Sequence, residues 1–214
     1  MDEEITIIDT NTRNEKIKNF FINNKKKIII SILIILVLLL SYISFYEFRD
    51  RNKVKLANQF NSTVVDFNVE EKKITINKLI NIINKKDKTY SPLAMYFLID
   101  NDLINNKNEI NNLFNILIDE TNLENEIQNL VIYKKALFNS NFATENELIQ
   151  ILNPIINSQS IWKSHSLYLL AEYFYSKNEN KKAKEFFNQI LANEYSNKDI
   201  KLKSQKRINR DLSE

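Results

Sequence analysis

The stretch that decides the architecture stands near the N-terminus, where residues Ile28 to Tyr46 read IIISILIILVLLLSYISFY. The run carries no charged residue. At about 1.5 Å of rise per residue, its length approaches the hydrocarbon thickness of a bilayer. A buried core helix is rarely so long and so uniformly apolar. A cleaved signal peptide has a shorter apolar region and a small-residue cleavage site, which Ser41-Tyr42-Ile43 matches poorly. We therefore predict one uncleaved membrane-spanning helix over residues 28–46.

The flanks of this run fit a membrane anchor. The triplet Lys25-Lys26-Lys27 precedes it, and aromatic side chains stand at its far end. The excess of basic residues before the run favours a cytoplasmic N-terminus and a C-terminal domain outside the cytoplasm, which in a bacterium is the periplasm. The residues predicted to form the anchor are Ile28, Leu36, Leu40, Tyr42 and Tyr46.

These boundaries divide the rest of the chain. Residues 1–27 form a cytoplasmic segment, whose acidic first twelve residues we expect to be disordered or weakly ordered. Residues 14–24 fit a short helix at the membrane surface. Residues 47–68 are predicted to continue the membrane helix as a stalk, and residues 69–214 to form a periplasmic helical domain.

Composition excludes several classes of protein. The 214 residues include no Gly, no Cys and one His, although average usage predicts roughly 15 glycines. Glycine-dependent phosphate loops, dinucleotide-binding turns and hydrolase nucleophile elbows are therefore excluded. Thiol nucleophiles, disulfides and cysteine or multi-histidine metal sites are excluded as well. The net charge of +3 is too small to argue for nucleic acid. We expect no enzyme, no cofactor and no small-molecule substrate.

Apolar residues at helical spacing continue through the rest of the chain. Stripes of this kind predict a series of short helices joined by short Asn-rich loops, packed as antiparallel neighbours. The predicted fold is therefore all-α. The stripes are Ile76, Leu79, Ile80 and Ile83; Leu93, Ala94, Phe97 and Leu98; Ile110, Leu113, Phe114 and Leu117; and Ile127, Leu130, Val131, Leu137 and Phe138.

Capping residues predict where several helices begin and end. Ser91 before Pro92 fits an N-cap followed by proline at the first helical position. Thr144 and Glu147 fit a capping box. Pro154 should end the helix that Thr144 begins. We expect the next helices to start at Ser158 or Ser160, at Lys181 and at Ser196, with the last one reaching about Leu212.

The best local pattern lies between Ser164 and Leu191. It is typical of one tetratricopeptide (TPR)-type unit, in which small residues stand where two helices cross and large apolar residues fill the space between them. Asn178 stands where the turn glycine is usual, and Asn tolerates left-handed backbone. A generic amphipathic helical hairpin remains the alternative. The predicted packing residues are Trp162, Leu167, Leu170, Ala171, Phe174, Ala183, Phe187 and Ile190.

The order of these features resembles the ancillary subunit family of the SecYEG translocon, the YfgM-like proteins with a TPR-like periplasmic domain. The resemblance covers nearly the whole chain, although no single motif in it is specific. The stretches that carry it are the lead-in Glu15 to Asn24, the single span with its aromatic end, Thr89-Tyr90-Ser91-Pro92-Leu93-Ala94, Trp162 with Leu170-Ala171 and Lys182-Ala183, and the closing basic helix Ile200 to Leu212.

The resemblance implies a function that the residues alone do not. Proteins of that family are anchored in the bacterial inner membrane, associate with the SecYEG translocon and a membrane-anchored periplasmic chaperone, and have no catalytic residues to carry over. A groove of the helical array would bind a partner helix or an extended segment. The alternative is a TPR-like scaffold or adaptor for cell-envelope assembly or division complexes.

For a few single residues, both a structural and a functional role are possible. His165 fits a surface or packed residue better than a ligand. Trp162 is either an interface anchor or, as we expect, part of the core. The basic residues of the last helix could touch anionic lipid, but a solvated face is the simpler interpretation. They are Lys198, Lys201, Lys203, Lys206, Arg207 and Arg210.

Overall fold

The computed structural model describes residues 2–212, with side-chain environments from residue 13 onward. These described residues form ten α-helices and contain no strand, so the described chain is all-α, as predicted. The helices are α1 (Asp2–Asn23), α2 (Lys25–Val65), α3 (Lys72–Asn84), α4 (Tyr90–Asp100), α5 (Lys107–Asn115), α6 (Asn125–Asn139), α7 (Glu145–Ile156), α8 (Lys163–Ser176), α9 (Asn180–Ala192) and α10 (Lys198–Asp211). A 3₁₀ turn at Val69–Glu71 precedes α3, and a π-helical turn at Ile116–Glu120 follows α5.

The chain divides into two compact units between Lys55 and Leu56. The first unit holds α1 and the N-terminal part of α2. The second holds the remaining helices and every buried apolar side chain found in the described residues. Burial of apolar surface is the dominant favourable contribution to folding, so the second unit is where the fold is stabilised.

Helices that follow each other in sequence pack on each other in the second unit. α3 packs on α4, α6 on α7, α7 on α8, α8 on α9, and α9 on α10. The buried apolar side chains form two clusters. The C-terminal part of α2 contributes Leu56 and Phe60 to the first cluster. α6 contributes to both, with Val131 in the first cluster and Ile132 and Ala136 in the second.

The position of α6 between two clusters corrects its predicted apolar stripe. Ile127 and Leu137 were expected to face the core, but both are exposed. Ile132 and Ala136, which were outside the predicted stripe, are buried instead. A helix that packs on two sides buries residues around more of its circumference than a single stripe allows. The one-face assumption was therefore wrong for this helix.

The start of α4 also differs from the prediction. The helix begins at Tyr90, and Asp87 caps it: its Oδ1 accepts hydrogen bonds from the backbone N–H groups of Thr89 and Tyr90 at 2.9 and 2.8 Å. Ser91 is buried, and its hydroxyl donates to the carbonyl of Ile82 on α3 at 2.9 Å. The same hydroxyl accepts the N–H of Asp87 at 2.9 Å, so Ser91 lies inside α4 and joins its start to α3, and it is not the N-cap residue.

Pro154 does not end α7, which continues to Ile156. Proline lacks the N–H for one backbone bond and its ring crowds the carbonyl four residues earlier, but Pro154 lies two residues from the end of α7, so both effects are confined to the last turns. The capping box at the other end of α7 is confirmed. The Glu147 N–H donates to Thr144 Oγ, and the Glu147 carboxylate accepts the Thr144 N–H at 2.7 Å.

The remaining helix ends shift by a few residues. α8 begins at Lys163, with the Ser160 hydroxyl accepting from the N–H of Trp162. α10 begins at Lys198 because Asn197, rather than Ser196, caps it. α1 begins at Asp2, so the first residues are helical where disorder was expected. No Pro or Gly interrupts that segment, and its residues are compatible with a helix.

Candidate functional site

The apolar run lies in α2, and this helix is long and apolar enough to cross a membrane. None of its most apolar stretch is buried within the protein. Of the predicted anchor residues, Ile28 is half-buried, and Leu36, Leu40, Tyr42 and Tyr46 are exposed. A helix of a soluble core would bury such residues against its neighbours, so the core-helix alternative does not fit the described structure.

α2 continues beyond the apolar run to Val65 without interruption. Just after the run, the Arg51 guanidinium lies 2.9 Å from the Glu47 carboxylate. Further on, Leu56 and Thr63 are buried in the second unit. The segment predicted as a stalk over 47–68 is thus helical to residue 65, and its C-terminal part belongs to the folded domain.

The pair α8–α9 brings together seven of the eight predicted packing residues. All seven are almost completely buried, in one cluster. Ala171 and Ala183 supply small side chains, and the aromatic rings around them are closely packed: Tyr168 lies 5.6 Å from Phe187, and Phe174 stacks on Phe186 at 5.5 Å between centroids. The seven residues are Leu167, Leu170, Ala171, Phe174, Ala183, Phe187 and Ile190.

The turn between α8 and α9 ends on a left-handed asparagine. Asn178 has φ +61°, the region that favours glycine. The N–H of Glu179 donates to the carbonyl of Phe174 at 2.9 Å, and the N–H of Asn178 donates to Tyr175 at 3.0 Å. These two bonds form a Schellman motif, which satisfies carbonyls left free at the end of α8. Asparagine therefore replaces the usual turn glycine, as the sequence predicted.

Trp162, the eighth predicted residue, lies at the edge of the core rather than inside it. It is half-buried and stacks on Tyr133 of α6, with 5.8 Å between centroids. Its indole N–H donates to the carbonyl of Glu126 at 3.1 Å. The neighbouring Ile161 is 68% exposed. This aromatic cluster joins the start of α8 to α6 and leaves an apolar side chain beside it in solvent.

Sequence reasoning missed Tyr133 and Glu126, the partners of Trp162. Both lie on α6, far from Trp162 in sequence, and no local spacing connects them. His165 completes the cluster, 5.4 Å from Trp162 between ring centroids. Burial lowers the pKa of His165 below its ordinary value of 6.5; the backbone of Ile161 opposes this effect, and the charge of Lys203 adds to it. The imidazole is therefore neutral at pH 7 and packs as an aromatic ring.

The basic side chains of α10 are partly used inside the domain. The Arg207 guanidinium donates to both carboxylate oxygens of Glu172 on α8, at 2.9 and 2.6 Å, and to Asp211 at 2.8 Å. Hydrogen bonds from Arg210 and Arg207 hold the pKa of Asp211 far below its ordinary value. The two hydrogen bonds between Arg207 and Glu172 fix α10 against α8.

In the described residues, no group of three or more His, Asp or Glu side chains is arranged to hold a metal ion.

Comparison of the chain with family models, with curated proteins and with solved structures finds no match in any of the three. The resemblance to the ancillary translocon subunits therefore rests on the order of features in the sequence.

Proposed function

We propose that the protein is a non-catalytic, membrane-anchored interaction protein that assists the SecYEG translocon and its periplasmic chaperone network. In this proposal α2 holds the chain in the bacterial inner membrane with the N-terminus in the cytoplasm. The helical domain then stands in the periplasm and binds other proteins. The observation that carries the proposal is that α2 passes from an unburied apolar run into a packed helical domain.

The helical domain would be a TPR-like array. The α8–α9 pair supports this, because buried Ala171 and Ala183 accompany large aromatic rings, and because a left-handed residue closes a tight turn. The sequential packing from α6 to α10 is also what an array of hairpins requires. Arrays of this kind bind extended segments or helices of other proteins along their grooves.

The orientation is tested by reporter fusions. A reporter active only outside the cytoplasm, fused after Glu214, should be active, and the same reporter fused before Met1 should be silent. A variant in which Lys25, Lys26 and Lys27 are replaced by Gln serves as the control, because removing this triplet should weaken the orientation. An inactive C-terminal fusion and an active N-terminal one would contradict the proposed topology.

Partner identity is tested by crosslinking in cells followed by mild detergent extraction. Translocon subunits or a membrane-anchored periplasmic chaperone should be recovered with the full chain. The Leu36→Asp/Leu40→Asp variant, which puts charges in the apolar run, should leave the membrane fraction and lose these partners. Recovery of envelope-assembly or division proteins instead, independent of secretion load, would replace the translocon role with the scaffold role.

A further inference from the structure

A cleft of about 600 Å³ lies between α5, α6 and α7. Two lysines line it: Lys107 at the start of α5 and Lys135 in the C-terminal half of α6. Neither ammonium lies within ion-pair distance of a carboxylate in the described part of the chain, although ion pairs form elsewhere in the second unit. Among the described residues, neither of the two ammonium groups is therefore neutralised by an ion pair with a carboxylate.

Side-chain contacts set the register of α5 against α6. The side chain of Asn111 on α5 forms a hydrogen bond with that of Asn139 on α6. Asn115 Oδ1 on α5 accepts a hydrogen bond from Lys135 Nζ on α6 at 2.7 Å. As the residue number rises along α5 it falls along α6, so the two helices run antiparallel. One turn before Asn111, the Lys107 ammonium lies 3.8 Å from the centroid of the Phe142 ring, just beyond the end of α6. The two lysines thus stand at opposite ends of the α5–α6 contact.

Between the lysines, the floor of the cleft is formed by the side-chain amides of Asn111 and Asn139, which hydrogen-bond to each other in both directions. Asn111 Nδ2 donates to Asn139 Oδ1 at 3.1 Å, and Asn139 Nδ2 donates to Asn111 Oδ1 at 2.8 Å. Each amide group gives its second hydrogen to a backbone carbonyl of its own helix. All four N–H donors are therefore used, while each oxygen keeps one lone pair free. The floor offers acceptors, which suit backbone N–H groups rather than a second anion.

The spacing of the two lysine positions along α5 indicates which form of ligand fits. Lys135 is level with Asn115, which lies about 12 Å from Lys107 along α5 at about 1.5 Å per residue. An extended peptide rises about 3.3 Å per residue, so residues four apart lie about 13 Å from each other and point to the same side. Two carboxylates at that spacing reach both lysines at once, and the peptide backbone between them passes over the amide floor.

The opposite wall of the cleft carries Glu147 and Ile151 of α7. Hydrogen bonds from the backbone and the hydroxyl of Thr144 lower the pKa of Glu147, so this side chain remains ionised at neutral pH. Its charge directs an acidic ligand away from α7 and towards α5 and α6. Phe142, 38% exposed, and Ile151 add apolar surface for the ligand's other side chains. Burial lowers the pKa of Lys135 while Asp119 opposes this effect, and a bound carboxylate would also favour the charged form.

We infer that this cleft binds an extended acidic segment of a protein partner, with two carboxylates four residues apart held by Lys107 and Lys135. The inference rests on the proposed function, because it assigns the place where an interaction protein holds its partner. Apolar surface beside the charges, and the side-chain amide oxygens of Asn111 and Asn139 between them, favour a peptide over a small anion.

The test uses the full chain in detergent micelles and nine-residue peptides carrying a neutral fluorophore. The peptide acetyl-TSETVTEST-amide, with its glutamates four apart, should bind, and raising the salt concentration should weaken it. A peptide of the same composition with adjacent glutamates should bind roughly fivefold more weakly, since adjacent side chains point to opposite sides. Lys107→Gln and Lys135→Gln should each weaken binding roughly fivefold, and the double variant roughly twentyfold.

The matched control is Lys78→Gln/Lys198→Gln, which removes two exposed lysines outside the cleft and should leave binding unchanged. Thermal unfolding of all variants checks that they remain folded. Equal binding of the two peptides, equal binding by the cleft and control variants, or displacement of the peptide by equimolar inorganic phosphate would overturn the inference.

Crosslinking of the same variants in cells separates the two proposals. If the acidic peptide binds as expected but translocon subunits never crosslink to the wild-type chain, the proposed function fails while the site stands. If translocon crosslinks form but no peptide binds, the site fails while the proposed function stands. Loss of those crosslinks in the Lys107→Gln/Lys135→Gln variant alone supports both.

Discussion

Two helix pairs in the second unit differ in how much of their contact is polar. α8 and α9 meet through fully buried aromatic and aliphatic side chains, with alanines between them. α5 and α6 also share an apolar contact, with the Phe114 and Phe138 rings 6.2 Å apart, but they add the amide pair Asn111–Asn139 and the hydrogen bond from Lys135 to Asn115, beside a cleft open to solvent. The first contact depends on shape and volume. The second also depends on hydrogen bonds between specific polar side chains.

This difference affects both stability and function. A close-packed apolar contact leaves no polar group free for a ligand, so α8–α9 is suited to holding the domain together. The α5–α6 contact borders a cleft whose two lysines form no ion pair in the described residues, so this surface keeps charge available for a ligand. Substitutions in the two pairs should therefore have effects of different size and different kind.

The largest effect is expected from Phe187→Ala in α9. Phe187 is completely buried, and removing its ring leaves a cavity beside Tyr168, which should lower the free energy of unfolding by about 3–5 kcal/mol. Chemical denaturation followed by circular dichroism measures the change. Phe142→Ala, at the partly exposed cleft, is the matched control and should lower it by about 1 kcal/mol at most. Equal losses in the two variants would contradict the distinction between the pairs.

The next largest effect is expected from Asn139→Ala in α6. It leaves the half-buried amide of Asn111 without its partner, which should lower the free energy of unfolding by about 2 kcal/mol. The Asn111→Ala/Asn139→Ala variant should lose less than the sum of the two single variants, because the second substitution removes the unpaired group. Additive losses would show that the amides do not act as a pair. The control is Asn108→Ala at an exposed position, which should change the free energy of unfolding by no more than about 0.5 kcal/mol.

A smaller effect is expected at the turn that closes the α8–α9 pair. Asn178→Ala places a residue with an ordinary Cβ at φ +61°, which should lower the free energy of unfolding by about 1 kcal/mol. Asn178→Gly should be neutral or slightly stabilising. The midpoint of thermal unfolding measures both. A stable alanine variant would mean that the turn can adopt another backbone conformation without loss.

The smallest effect concerns the ion pairs that Asp211 forms with Arg207 and Arg210 within α10. The pKa of Asp211 is depressed in the folded protein, so its contribution to stability is complete above the ordinary value of 3.8 and is lost as pH falls through and below that value. Thermal unfolding of the wild-type chain should therefore show a fall in midpoint below about pH 4 that is smaller in Asp211→Asn. An identical acid profile for the two proteins would show that this pairing adds nothing.

The same contrast explains what the sequence could predict. Leu170, Phe174 and Phe187 follow a helical spacing with alanines at fixed offsets, and all three are buried. The capping box of Thr144 and Glu147 is equally local, and it forms. Such features depend on residues within one or two helical turns, so their pattern is visible before the chain folds.

Features that depend on distant partners were missed. The sequence predicts Ser91 to be a helix N-cap, but its hydroxyl donates a hydrogen bond to the carbonyl of Ile82 on another helix. The sequence predicts one apolar face for α6, but the helix packs between two apolar clusters. Nothing in the local sequence places Asn139 opposite Asn111 or Tyr133 opposite Trp162. These contacts arise from the way helices are arranged, and a pattern within a single helix does not contain that information.

The turn at Asn178 has a consequence for the chemical lifetime of the protein. Asparagine ages by deamidation, which begins when the backbone nitrogen of the following residue attacks the side-chain amide. Here that nitrogen belongs to Glu179, and its N–H is engaged with the Phe174 carbonyl at 2.9 Å. The bond that ends α8 therefore also holds the attacking atom in place. The 214 residues contain no glycine and hence no Asn-Gly pair, the dipeptide most prone to this reaction, so at Asn178 both the following residue and its hydrogen bond oppose deamidation while the fold persists.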